Sequence, residues 1–385
     1  MERITRRGFV ELAGAGAAGA WAVAPRPASA APESPAPDRT VHLAGDGLGL
    51  APRAYAALLA ELTAGREVGE DSYLLGGEIE SFERQWAALL GKETAVFMPS
   101  GTLANHLALR ALAGNKRRVV VPETSHIYND TGDACQTLSA LTLLPLAPGA
   151  ATFTRADVEA VLARTASGRV ATDVGAIAVE SPVRRLAGQM FDWDELQRVA
   201  ALARERGIGL HLDGARLFIA SAYTGRSPAE FAAPFDTVYV SLWKYFNCGQ
   251  GAILAGPRRV LEGMFHTRRM FGGNLAVGWP AAVVARHYMD GYLDRLRAAI
   301  AVSEAFYRAI DDHPRVAVER IPHGTNLTRL TLRGVDPATV TRRLAERGVR
   351  MPTPSSAGVV TLAVNESWTR TTAPQLAADF GSALG

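Results

Sequence analysis

The chain has 385 residues, 48% of them hydrophobic and 21% charged. This is ordinary globular composition, with length for one large domain plus a smaller one. The formal net charge of +3 is too small to argue for nucleic acid or a membrane surface as partner, and four Arg against two Glu in residues 1–30 account for most of it.

The front end reads Thr5-Arg6-Arg7-Gly8-Phe9-Val10, then a weakly apolar Ala/Gly-rich stretch from Leu12 to Ala24, then Ala28-Ser29-Ala30. Charged start, apolar middle and small-residue end make a secretory signal over residues 1–30. The paired Arg and the low hydrophobicity give it the twin-arginine character, which predicts an exported, periplasmic or extracellular protein. The alternative is an Ala/Gly/Arg tail on a cytoplasmic one. The apolar stretch is too short to span a bilayer, and no other stretch has transmembrane character. Residues 31–40 are Pro-rich and polar and read as a linker.

Beyond residue 40, short apolar runs alternate with helical patterns. Strands are predicted at Thr94–Met98, Arg118–Pro122, Leu141–Leu144, Val174–Val179, Gly209–Leu212, Thr237–Val240 and Ala252–Leu254, and helices at Thr102–Ala113, Arg155–Ala166 and Trp193–Arg206. This alternation predicts an α/β fold with a large, doubly wound, mostly parallel sheet over residues 41–290. Long helices at Trp279–Arg295 and Leu296–Asp311 lead into a smaller C-terminal α+β domain, 291–385. Its strands are expected near Val316–Glu319, Leu327–Leu332 and Val359–Val364, with helices at Pro337–Arg347 and Pro374–Leu384.

In open α/β sheets ligands sit at the carboxyl ends of the strands. Ser100, Asp213 and the stretch Ser241-Leu242-Trp243-Lys244 all fall at or just after predicted strand ends. Pro99-Ser100-Gly101-Thr102 opens a helix, whose free amides suit an anion, although Ser-Gly-Thr is equally an ordinary N-cap turn. Asp213 closes an apolar strand inside His211-Leu212-Asp213-Gly214-Ala215-Arg216. A buried carboxylate needs a partner, either a ring N–H or a cation such as Arg216. Arg216 is suited to a bidentate grip on a substrate carboxylate or to that internal ion pair. Lys244 lies between Trp243 and Tyr245, and desolvation there favours a nucleophilic amine; a snorkelling lysine is the plainer alternative. An acid followed about 30 residues on by Ser-x-x-Lys is what pyridoxal 5'-phosphate (PLP) chemistry requires. The amine forms a Schiff base, the acid holds the pyridine nitrogen protonated, and Ser241 binds phosphate. His126, just after the strand Arg118–Pro122, is either a ring-stacking general base or a structural histidine. Eight His and two Cys show no metal-ligand spacing. Cys135 and Cys248 are expected as free, buried thiols, although an oxidising compartment would allow a pairing.

Together Val96-Phe97-Met98-Pro99-Ser100-Gly101-Thr102-Leu103-Ala104-Asn105, Ser125-His126-Ile127, His211 to Arg216, and Lys244 resemble the threonine aldolase / β-eliminating lyase family of PLP fold type I, the aminotransferase-like fold. Weaker echoes are Val68 to Tyr73, Arg268 to Gly273, and Thr325-Asn326-Leu327. The resemblance runs from about residue 42 to the end. It implies Lys244 as the cofactor-bearing lysine, Asp213 on the pyridine nitrogen, and His126 stacked on the ring and helping to take the substrate β-hydroxyl proton. It further implies Gly101 and Thr102 on phosphate, with Ser100 beside them, Ser181 near the cofactor's phenolic oxygen, and Arg216 on the α-carboxylate, with Asp46 on the substrate side. Tyr73 and Arg269 would reach across a dimer interface in a homodimer or homotetramer. The implied reaction is cleavage of the Cα–Cβ bond of a β-hydroxy-α-amino acid to glycine and an aldehyde.

The departures fall on the substrate half. The family's opening Ser-Asp-Thr reads Gly45-Asp46-Gly47, its Asn-Thr-His reads Ser181-Pro182-Val183, and its Gly-Met-Arg-Gln reads Asn274-Leu275-Ala276-Val277. The C-terminal stretch Val359 to Asn365 lacks the arginine that grips the carboxylate, which leaves Arg370 as a candidate substitute. Two alternatives therefore stand beside the aldolase reading. One is another PLP reaction on the same fold (β-elimination, racemisation or transamination). The other is a non-catalytic exported binding protein.

Overall fold

A computed structural model describes residues 38–65 and 67–385. The signal-type segment at 1–30 and residues 31–37 of the expected linker lie outside the described residues. Asp38 at the linker's end is held in place: its carboxylate accepts from the Thr40 N–H and from the Arg370 guanidinium.

Seven strands form the central sheet: β1 (Thr94–Met98), β2 (Arg118–Pro122), β3 (Thr142–Leu146), β4 (Val174–Glu180), β5 (Gly209–Asp213), β6 (Thr237–Ser241) and β7 (Ala252–Gly256). Their spatial order is β1-β7-β6-β5-β4-β2-β3. Neighbours run parallel except at β7, which is antiparallel to both β1 and β6. All seven residues of β4 are buried, as expected of a parallel strand covered on both faces. Alternate side chains go to opposite layers. Ile177 and Val179 pack with Leu196, Val199 and Leu202 of α2 (Trp193–Arg206), while Ala176 and Ala178 join Leu109 of α1 (Gly101–Ala113). The expected strands are all present, most of them extending one or two residues further at the carboxyl end.

A second layer follows. β8 (Val316–Arg320), β9 (Leu327–Leu332) and β10 (Val359–Ala363) form an antiparallel sheet in the order β10-β9-β8. Phe306 of the long helix α5 (Tyr292–Ile310) packs there against Trp368 and against Phe380 of α7 (Ala373–Leu384), with α6 (Pro337–Ala345) supplying Val340 and Leu344. Between α2 and α5 in the chain lie α3 (Leu217–Thr224) and α4 (Trp279–Met289). Val41 and Leu43 also belong to this second core, because Val41–His42 pairs in parallel with Val349–Arg350. The start of the described chain is thus built into the C-terminal layer, and residues 38–385 form one compact unit.

Apolar spacing places the break between the two long helices at residue 295; in the structure it lies at Asp290–Gly291. Gly291 takes φ +62°, in the left-handed region, and begins α5. Apolar periodicity continues through this point, so spacing alone does not reveal the stop.

Candidate active site

The site is assembled at the carboxyl edge of the sheet. Parallel register pairs Glu180 with Asp213 and Asp213 with Tyr239, so the last residues of β4 and β5 stand side by side, and Ser241 ends β6 two residues past Tyr239. Asp213 is buried. Its Oδ2 accepts from Asn105 Nδ2 at 2.6 Å and its Oδ1 from the Ala215 N–H at 3.1 Å. Behind Asn105, its Oδ1 lies 2.8 Å from His211 Nε2, and His211 Nδ1 lies 2.8 Å from Thr237 Oγ1.

Lys244 lies three residues beyond β6, with Nζ 5.7 Å from the centroid of the Trp243 ring. Burial lowers its pKa, helped by the Arg216 guanidinium and opposed by Asp213, Asp46 and Glu180. The amine is thereby biased toward its neutral, nucleophilic form. His126 opens a single-turn helix after β2, and its backbone N–H donates to Glu180 Oε2 at 2.6 Å. Burial lowers the pKa of the imidazole too, against the pull of Asp213 and with a push from Lys244. His126 Nδ1 is buried without a hydrogen-bond partner among the described residues. Lys244, Asp213 and His126 therefore feel one another's charge.

Arg216 pairs with Asp46 rather than with Asp213, the partner weighed from sequence. Its Nε and Nη2 both lie 2.8 Å from Asp46 Oδ2, and Asn326 Nδ2 holds Asp46 Oδ1 at 3.1 Å. Arg216, Asp46 and Lys244 line one cavity of about 690 Å³, together with Gly47, Tyr55, Trp243 and Asn247. Among the described residues lining it, Arg216 is the only arginine. Arg370 is not there: it donates to Asp38 and to the Thr40 carbonyl and borders a separate cavity beside Glu366 and Arg295. Gly47, in the position of the family's threonine, fits closely: a Cβ there would stand 2.6 Å from both the Lys244 carbonyl and Asn247 Oδ1.

At the head of α1, Ser100 is the N-cap, its Oγ accepting from the Leu103 N–H, so both readings of this turn remain compatible with the structure. The first amides, of Gly101 and Thr102, have no partner within the helix. A Cβ on Gly101 would fall 1.9 Å from the Tyr239 hydroxyl, so any larger residue there forces the ring or the helix start to shift. Ser241 Oγ is fully buried, near that hydroxyl yet outside hydrogen-bond geometry, with no partner among the described residues. Ser181 Oγ accepts from the Phe191 N–H and its backbone N–H donates to the Asp213 carbonyl, so it braces β4 against β5.

Tyr73 and Arg269 lie apart from the Lys244 cavity. They meet each other on the surface, Arg269 over the Tyr73 ring at 5.6 Å. Cys135 and Cys248 are free and buried. Sequence reasoning assigned no role to Asn105, Glu180 or Tyr239. Glu180 carries the signal that picked out Asp213, an acid closing an apolar strand. It accepts from the His126 and Arg184 N–H groups, and burial and then Asp213 push its carboxyl up to about 7.

These residues fit PLP. Orphaned buried atoms at Ser241 and His126, the amides opened by Gly101, a desolvated lysine and a buried, hydrogen-bonded aspartate match its phosphate, ring, aldehyde and pyridine nitrogen. Sheet and site together define a PLP enzyme fold of type I, and PLP is its cofactor. A family model for β-eliminating lyases matches residues 53–342, and the chain belongs to that family. It is 29% identical over 217 residues to the low-specificity L-threonine aldolase of Candida albicans, covering 56% of this chain and 57% of that one. It is 26% identical over 222 residues to the alanine racemase TOXG of Cochliobolus carbonum, covering 57% and 56%. The chain thus aligns over little more than half the length of these two relatives. A solved structure from Listeria monocytogenes, assigned as an L-allo-threonine aldolase, superimposes with a TM-score of 0.74 at 28% identity. It covers 89% of this chain and 95% of that one.

Proposed function

We propose that the protein cleaves the Cα–Cβ bond of β-hydroxy-α-amino acids, releasing glycine and an aldehyde. The observation that carries this reading is His126: a neutral imidazole with a free buried nitrogen, set within the field of Lys244 and Asp213. PLP, when bound, supplies the sink for the electron pair left at Cα. The chain's own residues do the rest. Lys244, its pKa lowered chiefly by burial, offers its amine to the cofactor aldehyde. Asp213 accepts from the pyridine N–H. His126 takes the proton of the β-hydroxyl as the carbonyl of the departing aldehyde forms. Arg216 orients the α-carboxylate, and the 690 Å³ cavity has room for a side chain larger than a methyl group. The names of the Candida and Listeria relatives support the same reaction.

A second PLP reaction, racemisation or elimination, is favoured by the substrate half, where the cavity's arginine is already engaged by Asp46 and one relative is a racemase. The two are separated by supplying L-threonine, L-allo-threonine and phenylserine to the PLP-loaded protein. Aldehyde release coupled to an alcohol dehydrogenase supports cleavage. Pyruvate from serine, or loss of optical activity from alanine, without any aldehyde supports the alternative. For assembly, the proposal is a homodimer or homotetramer, supported by exposed Tyr73, Leu75, Met270 and Val277 around Arg269. For location it is export, supported by the sequence of residues 1–30.

A further inference from the structure

Asp213 sits at the end of a buried hydrogen-bonded chain whose polarity can be worked out from chemistry alone. A carboxylate has only acceptors to offer, so at 2.6 Å from Asp213 Oδ2 the Asn105 amide must present its NH₂ group. The reverse orientation would set two acceptor oxygens against each other. Asn105 Oδ1 then faces His211 Nε2 at 2.8 Å and must receive a proton from it. His211 is 1% exposed, and burial lowers its pKa to about 4, outweighing Asp213 and the Thr237 backbone. The ring is neutral and carries one N–H, which is on Nε2. Nδ1 is therefore the acceptor, and the Thr237 hydroxyl 2.8 Å away is the donor. Every donor in Thr237–His211–Asn105 points toward Asp213, so each bond polarises the next and supports negative charge on the carboxylate. Asn105 and Ala215 also take one lone-pair direction on each oxygen, which fixes the carboxylate's rotation.

We propose that His211 and Asn105 are positioning residues that hold Asp213 charged and aimed, so that it keeps the cofactor's pyridine nitrogen protonated. This rests on the PLP reading of the site but not on the reaction assigned to it. The test reconstitutes the full chain with PLP carrying ¹⁵N in the ring and reads two quantities, the PLP dissociation constant and the pyridine ¹⁵N shift. In the wild type the shift is expected in the protonated range. In His211→Leu, which breaks the chain, the expectation is about ten- to hundredfold weaker PLP binding and a shift toward the unprotonated nitrogen. His211→Gln, which can still donate to Asn105, is expected to recover most of both. Should the leucine variant fail to fold, Thr237→Val removes only the first donor at nearly constant shape and is expected to move both readouts in the same direction by less. Wild-type affinity and shift in His211→Leu or Thr237→Val would overturn the proposal, as would a glutamine variant no better than leucine. A wild type that holds PLP weakly in the unprotonated form would overturn it too. Neither readout uses turnover. A protein that passes this test and releases no aldehyde counts against the reaction of the preceding section alone.

Discussion

Arg216 reaches Asp46 through both Nε and Nη2, and Asn326 holds the carboxylate from the other side. A substrate carboxylate has to share or displace that contact, because among the described residues lining the cavity no other arginine is available. The planar fork matters more than the charge. Arg216→Lys is therefore expected to raise KM about tenfold with a smaller effect on kcat; steady-state kinetics with the aldehyde-coupled assay checks this, and an unchanged KM contradicts it. The residues of this site were legible unevenly. Asp213 and Lys244 announce themselves, because a charged group at or just past the end of an apolar strand demands a reason, whereas His126 alone reads equally as a structural histidine. Asn105 is silent in sequence: a polar residue inside a helix shows its purpose only when the fold sets it against Asp213, 108 positions away. Asp46 and Arg216 each fitted the substrate side, but their mutual ion pair spans 170 positions and no local pattern encodes it.

At the scale of elements, the junction of β1 with α1 shows how backbone geometry makes a site. The helix can begin where it does because Gly101 lets the Tyr239 ring of β6 press against it. Gly101→Ala would drive a methyl group into a rigid aromatic hydroxyl. The expected cost is roughly 1–3 kcal/mol of stability, together with weaker PLP binding, read by denaturant unfolding and by cofactor titration. A variant as stable as wild type would show that the close approach is not required. The strands of the main sheet were legible because a strand covered on both faces is apolar throughout, as β4 is. The pairing of Val41–His42 with Val349–Arg350 was not, since two residues carry too little pattern and the partner is some 300 positions distant.

For the whole molecule, the same burial that keeps imidazoles neutral makes stability depend on pH. His211 and His106 both have pKa values lowered to about 4, burial being the largest cause in each. Their unfolded forms take up protons near pH 6.5 while the folded forms do not. This stability is present above about pH 6.5 and is lost as pH falls toward 4, on the order of 3 kcal/mol for the fully buried His211 alone. Urea unfolding of the PLP-free chain between pH 7.5 and 4.5 is expected to show that decline, and to show less of it in His211→Gln. A flat profile would mean that these rings are charged or exposed.

The central claim is that Lys244 bears the cofactor beside Asp213 and His126. Its most direct test is the absorbance spectrum of the purified chain with PLP, wild type beside Lys244→Ala. The account predicts a bound-cofactor band near the visible edge in the wild type that vanishes in the variant while the fold persists. The same band in Lys244→Ala, or none in the wild type, would contradict it.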